Sequence, residues 1–135
     1  MDEKKRITSF RDLEVYQESY KSCITVITEV LPKLPEAERY DLKDQLNRSV
    51  KAVPRLIAEG YAKRHQKAGF QKYLDDAMAE CNETIVGLEM CRDIYSLTMD
   101  GIPLPELIDR YDKIGRQLYN LALAWSRFKR TDGKR

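Results

Sequence analysis

The residues of this chain whose types and spacing could do chemistry point to binding rather than bond-making. The three cysteines, Cys23, Cys81 and Cys91, lie ten or more residues apart, so none forms the close pair that a zinc site needs. The single histidine, His65, has no Glu-x-x-His counterpart of the kind that holds a di-iron centre in a helical bundle. One histidine in a basic stretch is also a poor base for activating a buried Cys or Ser. The sequence contains no phosphate-cradling loop and no dinucleotide fingerprint. The expectation is a protein without enzymatic activity, metal or cofactor. The odd, unpaired cysteines and the charged start at residues 1–6 suit free thiols in a reducing cytoplasm. No apolar run approaches the ~20 residues of a membrane span.

Charge is the stronger signal. The net charge of +2 is too small to argue for nucleic acid by itself, but its distribution is uneven. Between positions 48 and 67, Arg48, Lys51, Arg55, Lys63, Arg64 and Lys67 stand against Glu59 alone. Between positions 75 and 93, Asp75, Asp76, Glu80, Glu83, Glu89 and Asp93 stand against Arg92 alone. Three readings follow. The basic stretch meets phosphates, with Tyr61 and His65 offering stacking faces. Or the basic and acidic faces of different copies meet head to tail, as a ring requires. Or both are solvated faces. The terminal Lys4, Lys5, Arg6, Lys129, Arg130, Lys134 and Arg135 either reinforce RNA contact or only solubilise. Glu59, flanked by Ile57, Ala58 and Gly60, is expected to be partly buried and paired with Arg48 or a neighbouring helix. Contact with a ligand or RNA is the alternative.

The elements that must position these groups are helices. The 135 residues suffice for one domain with a core of its own. Apolar residues recur at steps of three and four in four segments. The first stripe reads Leu13, Tyr16, Tyr20, Cys23, Ile27, Val30, Leu34; the second Leu42, Leu46, Ser49, Val53, Leu56, Gly60, widened by Val50 and Ile57. The third reads Phe70, Leu74, Ala77, Cys81, Thr84, Leu88, Cys91, Tyr95; the fourth Leu107, Tyr111, Ile114, Leu118, Leu121, Trp125, Phe128. These predict helices over about 9–31, 36–61, 67–98 and 104–129. A hydroxyl at Thr8 or Ser9 should cap the first. Pro32 and Pro35 separate it from the second, and Pro54 should kink the second without breaking it. Gly60 either admits a neighbouring helix or marks the helix end. Links this short make successive helices antiparallel neighbours. The predicted fold is all-α, an antiparallel up-down four-helix bundle, with Cys81 and Cys91 as small core hydrophobes.

Parts of the sequence match a known pattern. Gln45-Leu46-Asn47-Arg48-Ser49, Val53-Pro54 and Ile57-Ala58-Glu59-Gly60-Tyr61 are followed by Phe70, Leu74, Ala77 and Glu83. With the opening Phe10-Arg11-Asp12-Leu13-Glu14-Val15-Tyr16-Gln17, the chain resembles the four-helix-bundle proteins encoded in 23S rRNA intervening sequences. The resemblance implies bacterial origin, cytoplasmic location, a ring-shaped homopentamer and association with RNA. It also implies a distant relation to the accessory variability determinant proteins of diversity-generating retroelements, which bind nucleic acid and a reverse transcriptase. The candidate nucleic-acid-binding residues are therefore Arg48, Lys51, Arg55, Tyr61, Lys63, Arg64, His65 and Lys67. Glu59, Gly60, Glu80 and Glu83 are candidates for an interface. A scaffold or accessory subunit of a reverse transcriptase, with no direct nucleic-acid role, is the alternative. The sequence departs from the family pattern at Leu56, where relatives usually carry Asn, and at Glu80, where they often carry Ser.

Overall fold

The computed structural model describes residues 6–133 of the backbone and the side chains of residues 6–126. Lys4, Lys5, Lys129, Arg130, Lys134, Arg135 and the core position expected of Phe128 lie outside the described side chains. Four helices carry the chain: α1 (Glu14–Thr25), α2 (Leu42–Ala62), α3 (Lys67–Ile94) and α4 (Leu104–Gly133). Among the described residues there is no strand, and no helix is long and apolar enough to cross a membrane.

Local chemistry moves four of the expected boundaries. Ser9 does cap, but what it caps is a separate 3-10 turn, Phe10–Asp12. Its hydroxyl accepts from the Arg11 amide while Asp12 accepts from the Ser9 amide, so two amides at the start of the turn are satisfied. Leu13 is extended, and α1 starts only after it. At its other end α1 widens into a π turn, Val26–Val30, and then tightens into a 3-10 turn, Leu31–Lys33, around Pro32. Proline has no amide hydrogen for the regular ladder, so the helix cannot run through unchanged. The second helix begins at Leu42 rather than at 36. Pro35 opens only a 3-10 turn, Glu36–Glu38, and the Asp41 backbone departs from helical geometry. Glu38 then accepts the Leu42 amide and, on its other oxygen, the Tyr95 hydroxyl. That carboxylate joins the start of α2 to the end of α3. The chain leaves helical geometry at Tyr95, not at 98, and turns through Gly101, whose φ of 83° suits glycine. Pro54 does not break α2, which runs on to Ala62.

The packing is antiparallel. Gly60 near the end of α2 meets Phe70 and Tyr73 near the start of α3, and Leu46 near the start of α2 meets Gly87 late in α3. At Gly60 an added Cβ would lie 2.8 Å from the Cβ of Tyr73. The glycine therefore permits close approach and does not end the helix. Phe70 and Trp125 pack edge to face with ring centroids 5.0 Å apart, bringing the start of α3 to the later part of α4. The α1 helix closes the bundle against α2 and α4.

The second, third and fourth stripes face inward as expected, apart from half-buried Leu56, Tyr95, Leu121 and Trp125 and the undescribed side chain of Phe128. The first stripe does so only in part: Cys23, Val30 and Leu34 are buried, and Leu13, Tyr16 and Ile27 are half-buried against the core. The helix is rotated so that Val15, Ser19, Ser22 and Val26 are buried as well, while Tyr20 is 51% exposed. The core takes one tyrosine, Tyr111 of α4, whose buried hydroxyl has no hydrogen-bond partner among the described residues. A second or third bulky ring at the α1 seam would add volume and further polar atoms to the same core. The serines need far less room, and Ser19 donates to the Tyr16 carbonyl. Ser49 and Thr84 likewise join α2 to α3 inside the core, their hydroxyl oxygens 2.8 Å apart.

All three cysteines are buried and unpaired. Burial pushes the Cys91 thiol up to about 11 and the Cys81 thiol up to about 12, with the nearby Glu38 and Glu80 carboxylates adding to each effect. The expected result with a thiol reagent at neutral pH is slow labelling of the native protein and ordinary labelling once denaturant is added. Labelling of Cys81 in the native protein at the rate of a free thiol would contradict this placement.

Candidate nucleic-acid interface

The displaced tyrosines of α1 build the first part of the site. Phe10 packs edge-on against Tyr16 with centroids 4.9 Å apart, and Tyr16 lies 5.9 Å from Tyr20. With Pro54 and Ala58 of α2, these rings enclose a groove of about 290 Å³. Lys51 and Arg55 also line it, and Cys23 reaches it from α1. The spacing explains the arrangement: 51 and 55 are one turn apart on α2, and 54 and 58 are one turn apart on the adjoining strip. The Arg55 Nε donates to the Lys51 carbonyl at 3.3 Å, which holds the guanidinium along the helix. Burial raises the Cys23 thiol pKa more than Lys51 and Arg55 lower it. The thiol is therefore neutral near pH 7 and leaves both cations available for an external anion.

The second part is the α2–α3 turn. Lys63, Arg64, His65 and Lys67 are exposed there, and Tyr61 is half-buried. The Arg64 guanidinium lies 4.0 Å from the centroid of the Tyr61 ring and donates to the Tyr61 carbonyl at 2.8 Å. Trp125 of α4 donates its indole N–H to the Arg64 carbonyl at 3.1 Å, so the turn is tied to the body of the bundle. This end of the molecule combines cations with flat rings, as the groove does.

Two of the expected candidates sit elsewhere. Glu59 is exposed, not partly buried, because it falls on the outer face of α2 with Arg55 and Lys63. Arg48 pairs with Asp44 at 3.2 Å, one turn before it, instead of with Glu59. Arg48 also lies near enough to Glu80 of α3 to lower that carboxyl's pKa, though burial and the neighbouring Glu83 and Asp76 outweigh it and the net shift is upward. Arg48 is thus engaged by the acidic residues of its own chain, whereas Lys51 and Arg55 face the aromatic groove.

The Glu80 shift has a measurable consequence. A carboxyl with a raised pKa in the folded state binds its proton more tightly there than in the unfolded chain. Stability is then lost as pH rises through the ordinary carboxylate range towards the folded value. Replacing Glu80 by Gln should therefore raise the melting temperature slightly at neutral pH. The gain should vanish at pH values below the ordinary carboxylate pKa. Glu80 is only partly buried, so the effect is small; a lower melting temperature at neutral pH would contradict the assignment.

With this geometry in place, comparison with known proteins is informative. The family model described as 23S rRNA-intervening sequence protein matches residues 11–120. The chain belongs to that family. Neither the curated proteins nor the solved structures returned a match. In this 23S rRNA-intervening sequence protein, the stretch from 45 to 60 that carries the resemblance lies on α2 and serves two faces. Leu46, Ser49, Val53, Ile57 and Gly60 are in the core, while Lys51, Pro54, Arg55 and Ala58 line the groove. Leu56, one of the two departures from the expected pattern, is half-buried and packs against the core. Among the described residues, no three His, Cys, Asp or Glu side chains gather as a ligand set.

Sequence reasoning missed the aromatic wall, Phe10, Tyr16 and Tyr20. A usable signal was present. Two stripes run along the first helix one residue apart, and burying the one containing Ser19 and Ser22 leaves Tyr20 exposed and Tyr16 half-buried.

Proposed function

We propose that this chain is a non-enzymatic protein that associates with structured RNA through the α1–α2 groove and the basic turn after α2. The observation that carries this reading is the placement of Lys51 and Arg55 beside three aromatic rings. Cations supply phosphate affinity, and exposed rings supply faces on which bases stack. Lys63, Arg64 and Lys67 extend the cationic surface past the end of α2. The test is a gel-shift titration with structured RNA, repeated over a range of salt concentrations. Tight binding at low salt that weakens steeply with added salt is expected. No affinity for structured RNA or DNA at low salt would end the proposal.

The protein acts as a homo-oligomer in this reading, and the ring-shaped pentamer implied by family resemblance is the favoured form. A ring needs two different surfaces on each copy. On α3, Val86, Met90 and Ile94 are 48%, 44% and 60% exposed at one-turn spacing, and α4 exposes Tyr119 and Leu123. Apolar stripes of this kind on a small domain suit burial against another chain. A monomer mass in light scattering would rule out assembly.

The same α3 stripe supports a second reading, in which the chain is a cytoplasmic accessory subunit of a protein such as a reverse transcriptase. Copurification from the native host separates the two: nucleic acid retained with the chain favours the first, and a protein partner without nucleic acid favours the second.

A further inference from the structure

Resting on the RNA reading above, we propose that the α1–α2 groove takes a single unpaired base, so that the protein selects RNA with unpaired segments over a continuous duplex. The groove, about 290 Å³, is bounded by the helices α1 and α2. A volume of that size has room for one flat heterocycle. Its surface is mostly ring and aliphatic carbon, from Phe10, Tyr16, Tyr20, Pro54 and Ala58. Such a surface favours an uncharged, planar group over a phosphate. Yet Lys51 and Arg55 line the same groove, and Arg11, at 4.5 Å from the Phe10 ring, stands at its aromatic side. An apolar slot bordered by cations complements a nucleotide, with the base inside and phosphates at the rim. Paired bases cannot enter it, because both of their faces are already stacked.

The experiment compares two RNAs of equal length and charge, a perfect duplex and a hairpin with an unpaired tract carrying one 5-iodouridine. The wild-type protein is expected to prefer the hairpin by about tenfold, in line with the usual contribution of one base stacked on an aromatic side chain. Ultraviolet irradiation should cross-link the iodouridine to Phe10, Tyr16 or Tyr20. Ala58→Phe, which fills the groove while keeping both cations, should abolish the cross-link and bring hairpin affinity down to that of the duplex. Tyr20→Ala, at a half-exposed position that folding tolerates, should reduce both. Equal affinity for the two RNAs, or cross-links confined to Tyr61 and His65, would overturn the proposal while leaving RNA binding intact. A change in oligomer mass in the two variants, with RNA preference unaltered, would overturn it by identifying the groove as a contact between copies. Failure of the wild type to bind either RNA would instead remove the RNA reading itself.

Discussion

Replacing Leu46 by alanine is expected to destabilise the protein by about 2–5 kcal/mol, the usual cost of emptying a well-packed leucine site. Leu46 is 1% exposed and seats on α3 at Gly87. A Cβ added at Gly87 would lie 2.7 Å from Leu46 Cδ2 and 3.0 Å from its Cγ, closer than packed carbons approach. Two opposed effects therefore meet in Gly87→Ala. Alanine improves helix propensity by about 1 kcal/mol, while overpacking costs about 1–3 kcal/mol. The leucine is confined on all sides, so overpacking should win and the single variant should lose stability. In the Leu46→Ala background the obstruction is gone, and the same Gly87→Ala change should stabilise. Urea unfolding of the two single variants and the double variant measures this reversal of sign. The same sign in both backgrounds would show that Leu46 does not seat on Gly87.

The second large effect concerns RNA. Changing Lys51, Arg55 and Arg64 together to glutamate should weaken binding on the order of 100-fold at low salt. It should also make the dependence of affinity on salt shallower, by about one unit of slope for each lost phosphate contact. Lys51, Arg55 and Arg64 are all exposed, so the fold should persist, and circular dichroism checks that. Arg48→Glu is the informative comparison. Arg48 already pairs with Asp44 and lies near Glu80, so its reversal should cost RNA affinity much less than reversal of Arg55. Equal losses at the two positions would mean that a diffuse field attracts the RNA. Unchanged affinity and unchanged oligomer mass in the triple variant would mean that these charges are merely solvated.

Heptad spacing alone determined that the chain forms four helices, and that Cys81 and Cys91 belong to the core. An apolar residue every third or fourth position leaves few alternatives when the links are short. It also located the basic stretch on α2 and the acidic one on α3, because charge order along a chain is read directly. Spacing could not decide the rotation of α1. Its two stripes, Val15-Ser19-Ser22-Val26 and Tyr16-Tyr20-Cys23-Ile27, are one residue apart; hydropathy favours the second, whereas the structure buries all of the first and only Cys23 fully from the second. The choice depends on the room left by α2 and α4, which is not a property of the segment itself. The same limit hid the division among the cations. Arg48, Lys51 and Arg55 share one face of α2 in sequence, but only packing shows Arg48 near Glu80 of α3 and the other two beside the aromatic groove. The element types were thus local matters of periodicity and capping. The candidate site was a matter of which side chains the neighbouring helices leave room to bury.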